Sequence, residues 1–315
     1  MPEPKLRLSC REPDIDTHRP LVDGSVKVEG FDLQILPGAA PDPDWDARDV
    51  VASGRVRDFV TGDGLVCIPA FPNRKFRTTY IYVNSKAGIE NPRDLEGKRV
   101  AISYWGNPAA VWAKGALQNY YEVDLTKVTW LERNPIAEGK PPGIRTEPLP
   151  PNISTDSMLA EGAIDAAIDP NVLPSIRNSD PRVRRLFGDY KTENQGYWKA
   201  TGVFPISHIV SLKQEFVERY PEAPLALLKA YRQARDIALH RIEGGDPEYL
   251  MITWASYILA EQRAVMGENY WAYNIEDNKR TLEALTQFCY EQALTPYRVD
   301  YRELFHPAAA ALPGA

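Results

Sequence analysis

Short apolar runs, each ended by turn residues, recur along the first two thirds of the chain. Runs rich in β-branched and aromatic residues are typical of strands. We therefore expect strands at residues 6–9, 31–36, 65–71, 78–83, 99–103, 128–131, 163–168 and 183–187. Between them, residues 108–121 and 157–161 fit helices, and residues 49–60 fit a strand followed by a helix. This alternation predicts an α/β protein.

From residue 213 onward the pattern changes to apolar residues at helical spacing. Before this change, residues 197–210 are expected to form a strand that crosses back to the first part of the fold. The segments predicted to be helical are residues 216–220, 224–241, 247–266 and 276–292. We expect these helices to pack on the first part of the fold.

Residues 67–103 indicate how the chain is divided. Two predicted strands flank a turn that carries Arg74 and Arg77, and a polar segment then leads into strand 99–103. The sequence DLEGKRVAIS (residues 94–103) resembles the start of the second lobe in solute-binding proteins of the type II periplasmic-binding fold. We therefore expect two lobes, each a mixed sheet flanked by helices, with two hinge crossings. Lobe one would comprise residues 1–84 and 211–315, and lobe two residues 85–210, with both arginines near the cleft between the lobes.

Composition and charge exclude several classes of protein. The chain has 315 residues and a formal charge of -6, which argues against a nucleic-acid partner because such proteins concentrate Lys and Arg on one face. No apolar tract is long enough to span a bilayer, so no membrane partner is expected. Cys10, Cys67 and Cys289 lie far apart, which suggests neither a disulfide framework nor a zinc site. The first ten residues lack the features of a secretory signal, so we expect a cytoplasmic protein.

Several segments, in the same order along most of the chain, resemble the 4,5-dihydroxyphthalate decarboxylase family. They are RPLVDGSVKVEGFDL (19–33), IPAFPNRKFR with IYVN (68–84), GKRVAIS with AAVW (97–112), VRRLFGDY (183–190), TGVFPISH (201–208), and MGENYWAYNIEDNKRTLEAL through ELFHP (266–307). The resemblance implies a non-oxidative decarboxylase of a hydroxylated aromatic acid, built on the type II fold. Thr78 stands where the family has a His after the arginine matched by Arg77.

The implied reaction assigns chemistry to particular residues. Arginines are the natural holders of carboxylates, which makes Arg19, Arg74 and Arg77 the candidates for substrate binding. Release of CO2 requires an acid or base that works near neutral pH, and His208 in the FPISH motif is the first choice. His18 and Asp14, in the polar loop after the first strand, are the other catalytic candidates.

Further residues are candidates for contacts with an aromatic ring or its hydroxyl groups: Tyr104, Trp105, Asp169, Trp271 and Tyr273. We expect no metal and no other cofactor, because no His or Cys spacing resembles a metal site. The expected partner is a small aromatic carboxylate, and the resemblance implies a homo-oligomer. Two alternatives stay open: a non-catalytic binding protein for an aromatic carboxylate, and an enzyme on the same fold acting on another aromatic acid.

Overall fold

A computed structural model describes residues 2–37, 44–136, 139–244 and 250–314. The strands are β1 (Lys5–Cys10), β2 (Asp32–Pro37), β3 (Ala47–Val51), β4 (Leu65–Ile68), β5 (Ile81–Asn84), β6 (Arg99–Ile102), β7 (Thr129–Glu132), β8 (Arg145–Pro148), β9 (Ala166–Ile168), β10 (Val183–Arg185) and β11 (His208–Lys213).

The helices alternate with these strands in the first two thirds of the chain and dominate the last third. They are α1 (Arg19–Val22), α2 (Ala52–Phe59), α3 (Pro108–Asn119), α4 (Thr155–Ala160), α5 (Pro174–Arg177), α6 (Tyr190–Thr201), α7 (Gln214–Arg219), α8 (Ala223–Glu243), α9 (Ala255–Met266), α10 (Lys279–Glu291) and α11 (Pro307–Ala310). Short 3₁₀ helices lie at Thr78–Tyr80, Pro92–Leu95, Leu125–Lys127 and Tyr301–Leu304. None of the described helices is both long and apolar enough to cross a bilayer.

The chain forms two compact units. The first comprises Met1–Arg74, His208–Glu283 and Asp300–Ala315, and the second comprises Lys75–Ser207 and Ala284–Val299. The sequence-based boundaries differ from these in three ways: the first boundary falls after Arg74 rather than near residue 84, the second falls after Ser207 rather than after residue 210, and residues 284–299 group with the second unit.

The first unit contains a five-stranded sheet in the order β2-β1-β3-β11-β4. β1 pairs in parallel with β2 and β3, whereas β11 is antiparallel to both of its neighbours. Alternate residues of β1, such as Leu6 and Leu8, are fully buried, as the period of two in a strand requires when one face is covered. Leu227, Leu228 and Tyr231 of α8 are buried as well. Helix α8 contacts β4, so this helix packs on the sheet.

The second unit contains a six-stranded mixed sheet in the order β10-β5-β9-β6-β7-β8. Tyr82, Ala101 and Leu159 contribute to a cluster of buried apolar side chains in its core. Helix α3 begins after Asn107, whose side chain accepts hydrogen bonds from the backbone N–H groups of Ala109 and Ala110, a typical N-cap. The α/β class and the two-sheet architecture predicted from the sequence are confirmed.

Three segments differ from their predicted secondary structure. Residues 78–83, predicted as a strand, begin as a 3₁₀ helix before β5. Residues 197–210, predicted as a crossing strand, include the end of α6, and the strand begins only at His208. Of the helix predicted at 247–266, residues 247–249 lie outside the described residues, and the helix found there is α9.

Candidate active site

Titratable side chains of the first unit meet at one edge of its sheet. The carboxyl ends of the parallel strands β1, β3 and β4 share this edge with His208, the first residue of the antiparallel strand β11. His208 lies opposite Val51, and Asp49 lies opposite Val210, so the His208 and Asp49 side chains project from the same face. This edge is where α/β folds commonly bind ligands.

His208 and Asp49 form a buried pair. The Nδ1 atom of His208 lies 2.8 Å from Oδ2 of Asp49, and both side chains are almost fully buried. The other carboxylate oxygen of Asp49 accepts a hydrogen bond from the backbone N–H of Arg11 at 2.6 Å. A hydrogen bond to an ionised Asp49 keeps a proton on Nδ1, so Nε2 is the ring nitrogen that can exchange a proton.

The carboxyl group of Asp49 favours its charged form. Burial by itself raises the pKa of Asp49, but the hydrogen bond from His208 and the charges of His18 and His208 lower it, and the net pKa lies below the ordinary value. The backbone N–H of Arg11 contributes to the same lowering of the pKa. A buried anion is therefore available to stabilise a positively charged imidazole.

His18 is a second buried imidazole near this pair. Its Nδ1 atom lies 3.0 Å from the carbonyl oxygen of Glu12, and its ring packs edge-on against Tyr231, with centroids 5.7 Å apart. Burial lowers the pKa of His18, the charge of Asp49 opposes that change, and the net pKa is below the ordinary value. His18 is therefore suited to be neutral near pH 7 and to accept hydrogen bonds rather than to supply protons.

Arg74 is a buried cation. It directly follows Asn73, whose backbone contacts His208. The backbone N–H of His208 donates to the carbonyl oxygen of Asn73 at 3.2 Å. The Arg74 guanidinium lies 5.9 Å from the ring centroid of Phe71, and burial lowers the pKa of Arg74 to about 9. Arg74 remains charged at neutral pH, and a nearby carboxylate would offset the loss of hydration.

Hydrogen bonds fix the loop that carries His18 to the segment that carries Arg74. The side chain of Asn73 donates to Glu12 at 2.6 Å, and the hydroxyl of Thr17 donates to the carbonyl of Pro72 at 2.9 Å. Glu12 and Asn73 are 61 positions apart in sequence, so these hydrogen bonds join distant parts of the chain. His18, Arg74 and His208 are thus held by one network within the first unit.

The predicted aromatic residues of the first unit belong to this region as well. The indole Nε1 of the half-buried Trp271 donates to the carbonyl of Phe71 at 3.2 Å. Tyr273 packs edge-on against Phe71, with centroids 6.4 Å apart, and burial raises the pKa of Tyr273. Both residues therefore contact Phe71, three positions before Arg74.

Asp14, in the loop after β1, and Arg19, the first residue of α1, lie close together at the surface. Both are exposed, and the guanidinium of Arg19 donates to the backbone carbonyl of Asp14 at 3.4 Å. The structure therefore brings His18, Asp49 and His208 together, holds the segment that carries Arg74 to them through Asn73, and leaves Asp14 and Arg19 exposed.

The other predicted residues belong to the second unit. Arg77 is buried and donates to the hydroxyl of Ser207 at 2.5 Å. Tyr104 is half-buried, and burial raises the pKa of Asp169. Trp105 is fully buried, and its indole N–H donates to the carbonyl of Gln292 at 2.8 Å. A role for these four residues in binding stays a prediction.

Thr78 stands at the position where the family pattern has His, and its side chain is hydrogen-bonded to a nearby residue. Its hydroxyl donates to the side-chain oxygen of Asn194 on α6 at 2.8 Å, and the amide nitrogen of Asn194 donates to the hydroxyl of Thr79 at 2.8 Å. Thr78 has no group that titrates near neutral pH.

Sequence reasoning missed Asp49, Asn73 and Glu12. Asp49 lies in a segment predicted as a strand followed by a helix. The one signal that could have marked it as a site residue is an acid among apolar strand residues. Its partner His208 is 159 positions away. Within the described part of the chain, no group of three or more His, Cys, Asp or Glu side chains is arranged to hold a metal ion.

The two α/β units with mixed sheets place the chain in the class of periplasmic-binding-protein-like folds. The aliphatic sulphonate binding protein SsuA of Escherichia coli has the same fold, with a TM-score of 0.58 and 15% identity over 97% of this chain and 98% of that one. At that level of identity the likeness defines the fold alone.

The curated relatives that this chain matches are decarboxylases. No family model matches the chain. It is 27% identical to the 4,5-dihydroxyphthalate decarboxylase of Comamonas testosteroni over 97% of this chain and 98% of that protein. It is 28% identical to the enzyme of the same name from Pseudomonas putida, over 62% of this chain and 83% of that protein. The resemblance predicted from the sequence is confirmed, and the predicted class of enzyme, a carboxy-lyase, is the class of both relatives.

Proposed function

We propose that this chain is a non-oxidative decarboxylase of a hydroxylated aromatic carboxylic acid, 4,5-dihydroxyphthalate or a close analogue. Similarity to two decarboxylases supports the reaction class. The observation that carries the proposal is the buried His208–Asp49 pair, held in the same unit as His18 and Arg74. His208 supplies a proton carrier, Asp49 supplies a fixed anion, and Arg74 supplies a cation for a carboxylate.

In this proposal the arginines hold the substrate. Arg74 and Arg77 are buried cations, and a guanidinium can bind a carboxylate through two parallel hydrogen bonds. Arg19 is exposed and would act at most on the approach of the anion. A substrate with two carboxylates, such as a phthalate, leaves one carboxylate bound while the other is released as CO2.

His208 would supply the proton that replaces the carboxylate. The imidazolium transfers its Nε2 proton to the ring carbon that bears the leaving carboxylate. The bond between that carbon and the carboxylate then breaks, its electron pair returns to the ring, and CO2 leaves. His208, now neutral, regains a proton from water, so the net change consumes one proton for each CO2 released.

A hydroxyl on the ring would lower the barrier to the same step. Protonation of the ring carbon interrupts aromaticity, and an ortho or para hydroxyl donates electron density to the cationic intermediate. Asp49 would keep His208 oriented until the transfer. His18, whose pKa is lowered by burial, is the second acid–base candidate and fits the role of hydrogen-bond acceptor better than that of donor.

The test compares turnover and binding in three purified proteins: the native chain, His208→Asn and Arg74→Ala. Each is incubated with 4,5-dihydroxyphthalate and with related hydroxylated benzoates while CO2 and the aromatic product are measured. His208→Asn should lower kcat by about 10²–10⁴-fold and leave KM within a few-fold. Arg74→Ala should raise KM more than it lowers kcat, because the retained carboxylate is bound in both ground and transition states.

Each alternative gives its own result. Tight binding of many acids without CO2 release by the native chain would indicate a binding protein instead. Turnover of a different aromatic acid would keep the reaction class and change the substrate. Full activity in His208→Asn would remove His208 from the mechanism and leave His18 as the next residue to replace.

A further inference from the structure

Three tyrosine rings of the second unit surround the side chain of Arg185, at the end of β10. Its guanidinium carbon lies 4.9 Å from the ring centroid of Tyr190, 5.3 Å from that of Tyr82 and 5.9 Å from that of Tyr80. Its Nη1 atom donates to the carbonyl of Thr79 and, at 3.4 Å, to the hydroxyl of Tyr82. Contacts with aromatic rings orient a guanidinium without using its N–H donors. Arg185 is therefore a cation with a fixed orientation.

Most of the N–H donors of Arg185 stay available. A guanidinium has five such donors, and the hydrogen bonds that this side chain makes to described residues come from Nη1. Arg185 is half-buried, and no residue in the described part of the chain forms an ion pair with it. The adjacent Arg184 differs, because its guanidinium pairs with Glu90 at 2.9 Å. The Nε and Nη2 edge of Arg185 therefore offers two parallel N–H groups, the geometry that binds one carboxylate.

Arg77 is a second guanidinium beside the Tyr80 ring. Its guanidinium carbon also lies 5.9 Å from the ring centroid, so the guanidinium carbons of Arg77 and Arg185 are separated by at most twice that distance. Asp169 is the acid next to this ring, since its backbone N–H donates to the carbonyl of Tyr80 at 3.2 Å. Its carboxyl group accepts from the backbone N–H of Asn171 at 2.8 Å, and burial raises its pKa. The spacing of the two arginines lets one small dianion contact both.

From this geometry we propose that Arg185 and Arg77 bind the two carboxylates of one vicinal dicarboxylic acid, a subsite that deepens the proposed function and rests on it. One guanidinium binds one carboxylate through two parallel hydrogen bonds, so a second carboxylate needs a second guanidinium. The substrate class is then the phthalates, because a benzoate would occupy only one of the two arginines. A carboxylate has about four acceptor positions, so the proposed role of Arg74 is unchanged.

Isothermal titration calorimetry with phthalate and benzoate tests the proposal. The native chain should bind phthalate about 10- to 100-fold more tightly than benzoate, as expected for one additional hydrogen-bonded charge pair. Arg185→Gln should remove most of this ratio by weakening the binding of phthalate, while benzoate, which Arg77 can still bind, is nearly unaffected. Arg185→Lys keeps the charge without the two parallel N–H groups, so it should recover only part of the ratio.

Arg184→Gln is the matched control. It removes the same charge from the adjacent position of β10, where the side chain projects from the opposite face and pairs with Glu90. Its affinities for both acids should equal those of the native chain. Circular dichroism checks that each variant is folded, and Arg185→Lys, which keeps a cation beside the rings, is the second variant should Arg185→Gln not fold.

Three results would overturn the proposal. They are a native chain that binds phthalate no more tightly than benzoate, a loss of affinity for both acids alike in Arg185→Gln, and equal effects of Arg184→Gln and Arg185→Gln. The second of these is the result that a role in packing alone would give. Because the assay measures binding without turnover, a decarboxylase that fails it loses this subsite and keeps its reaction. A chain that passes it and releases no CO2 keeps the subsite and loses the reaction.

Discussion

The carboxylate of Asp49 is kept charged at a position where burial alone would favour the neutral acid. Three features oppose burial: the hydrogen bond from His208, the positive charge that either imidazole can carry, and the N–H of Arg11. A buried charge with its hydrogen bonds satisfied is a fixed electrostatic element, because it needs no rearrangement when a neighbouring charge appears. Asp49 thereby determines which nitrogen of His208 carries the first proton.

Asp49→Asn tests this positioning role. Asn keeps the shape of the side chain but loses the negative charge, so His208 loses both its orientation and the stabilisation of its charged form. We expect kcat of the decarboxylation to fall by about 10²–10⁴-fold, the usual range for an acid–base function. KM should change by only a few-fold, because Asp49 does not hold the substrate.

Asp46→Asn is the matched control for that variant. Asp46 is also a buried carboxylate, and it accepts hydrogen bonds from the Arg7 guanidinium at 2.8 and 2.9 Å. It does not bind His208, so its replacement should lower stability and leave kcat unchanged. Equal losses of kcat in both variants would show that Asp49 acts only through stability.

Local sequence could indicate part of this network and not the rest. His208 and Arg74 stand in motifs that mark them as candidates, and the structure holds them in one unit. Asp49 could not be assigned, because its hydrogen bond to His208 joins strands that are 159 positions apart. Burial and strand register, which create that contact, are properties of the fold and not of either segment.

At the level of elements, helix α3 shows how one glycine sets a packing distance. A β-carbon at Gly115 would lie 2.1 Å from Cδ2 of Phe288, so the absence of a side chain allows α3 and α10 to approach closely. The same Phe288 ring meets Trp112 edge-on, with centroids 5.7 Å apart. Nearby, the side chain of Gln292 donates to the carbonyl of Val111 at 2.9 Å. These contacts explain why residues 284–299 group with the second unit.

Gly115→Ala should therefore destabilise the protein. The methyl group must displace a buried aromatic ring, and overpacking of this kind costs about 1–3 kcal/mol. Gly196→Ala, in α6, is the control because nothing lies within 4 Å of its β-carbon position, and removing an exposed helical glycine stabilises by about 1 kcal/mol. Urea unfolding measures both changes, and a Gly115→Ala protein as stable as the native chain would mean that the ring moves without penalty.

Helix α6 shows why the sequence misled at the element scale. Its segment contains a glycine and three aromatic residues, which weaken the helical pattern, and its last residues, 197–201, fall inside the segment predicted as a crossing strand. The ends carried clearer signals. The side chain of Asp189 caps the first turn by accepting from the N–H of Thr192, and Gly202 ends the helix with a φ of 66°. Capping residues were more informative here than residue preferences in the interior.

For the molecule as a whole, folding removes His18 from water. The pKa of His18 is lowered in the folded protein, first by burial and also by the charge of His208, while the charges of Asp49 and Glu12 oppose the change. An unfolded His titrates near about 6.5. Below that pH the unfolded chain binds the proton more readily than the folded one, so the free energy of unfolding falls as the pH decreases.

Replacing His18 should remove this part of the pH dependence. Between about pH 7.5 and 5.5 we expect the native chain to lose about 1 kcal/mol more stability than His18→Gln, since one proton contributes at most about 1.4 kcal/mol per pH unit. Urea denaturation at several pH values measures the difference. His240→Gln, which replaces an exposed histidine of α8, controls for the loss of an imidazole. Its free energy of unfolding should change with pH as that of the native chain does. If His18→Gln also runs parallel to it, His18 binds its proton equally well in the folded and unfolded states, and its assignment as the neutral imidazole of the site is wrong.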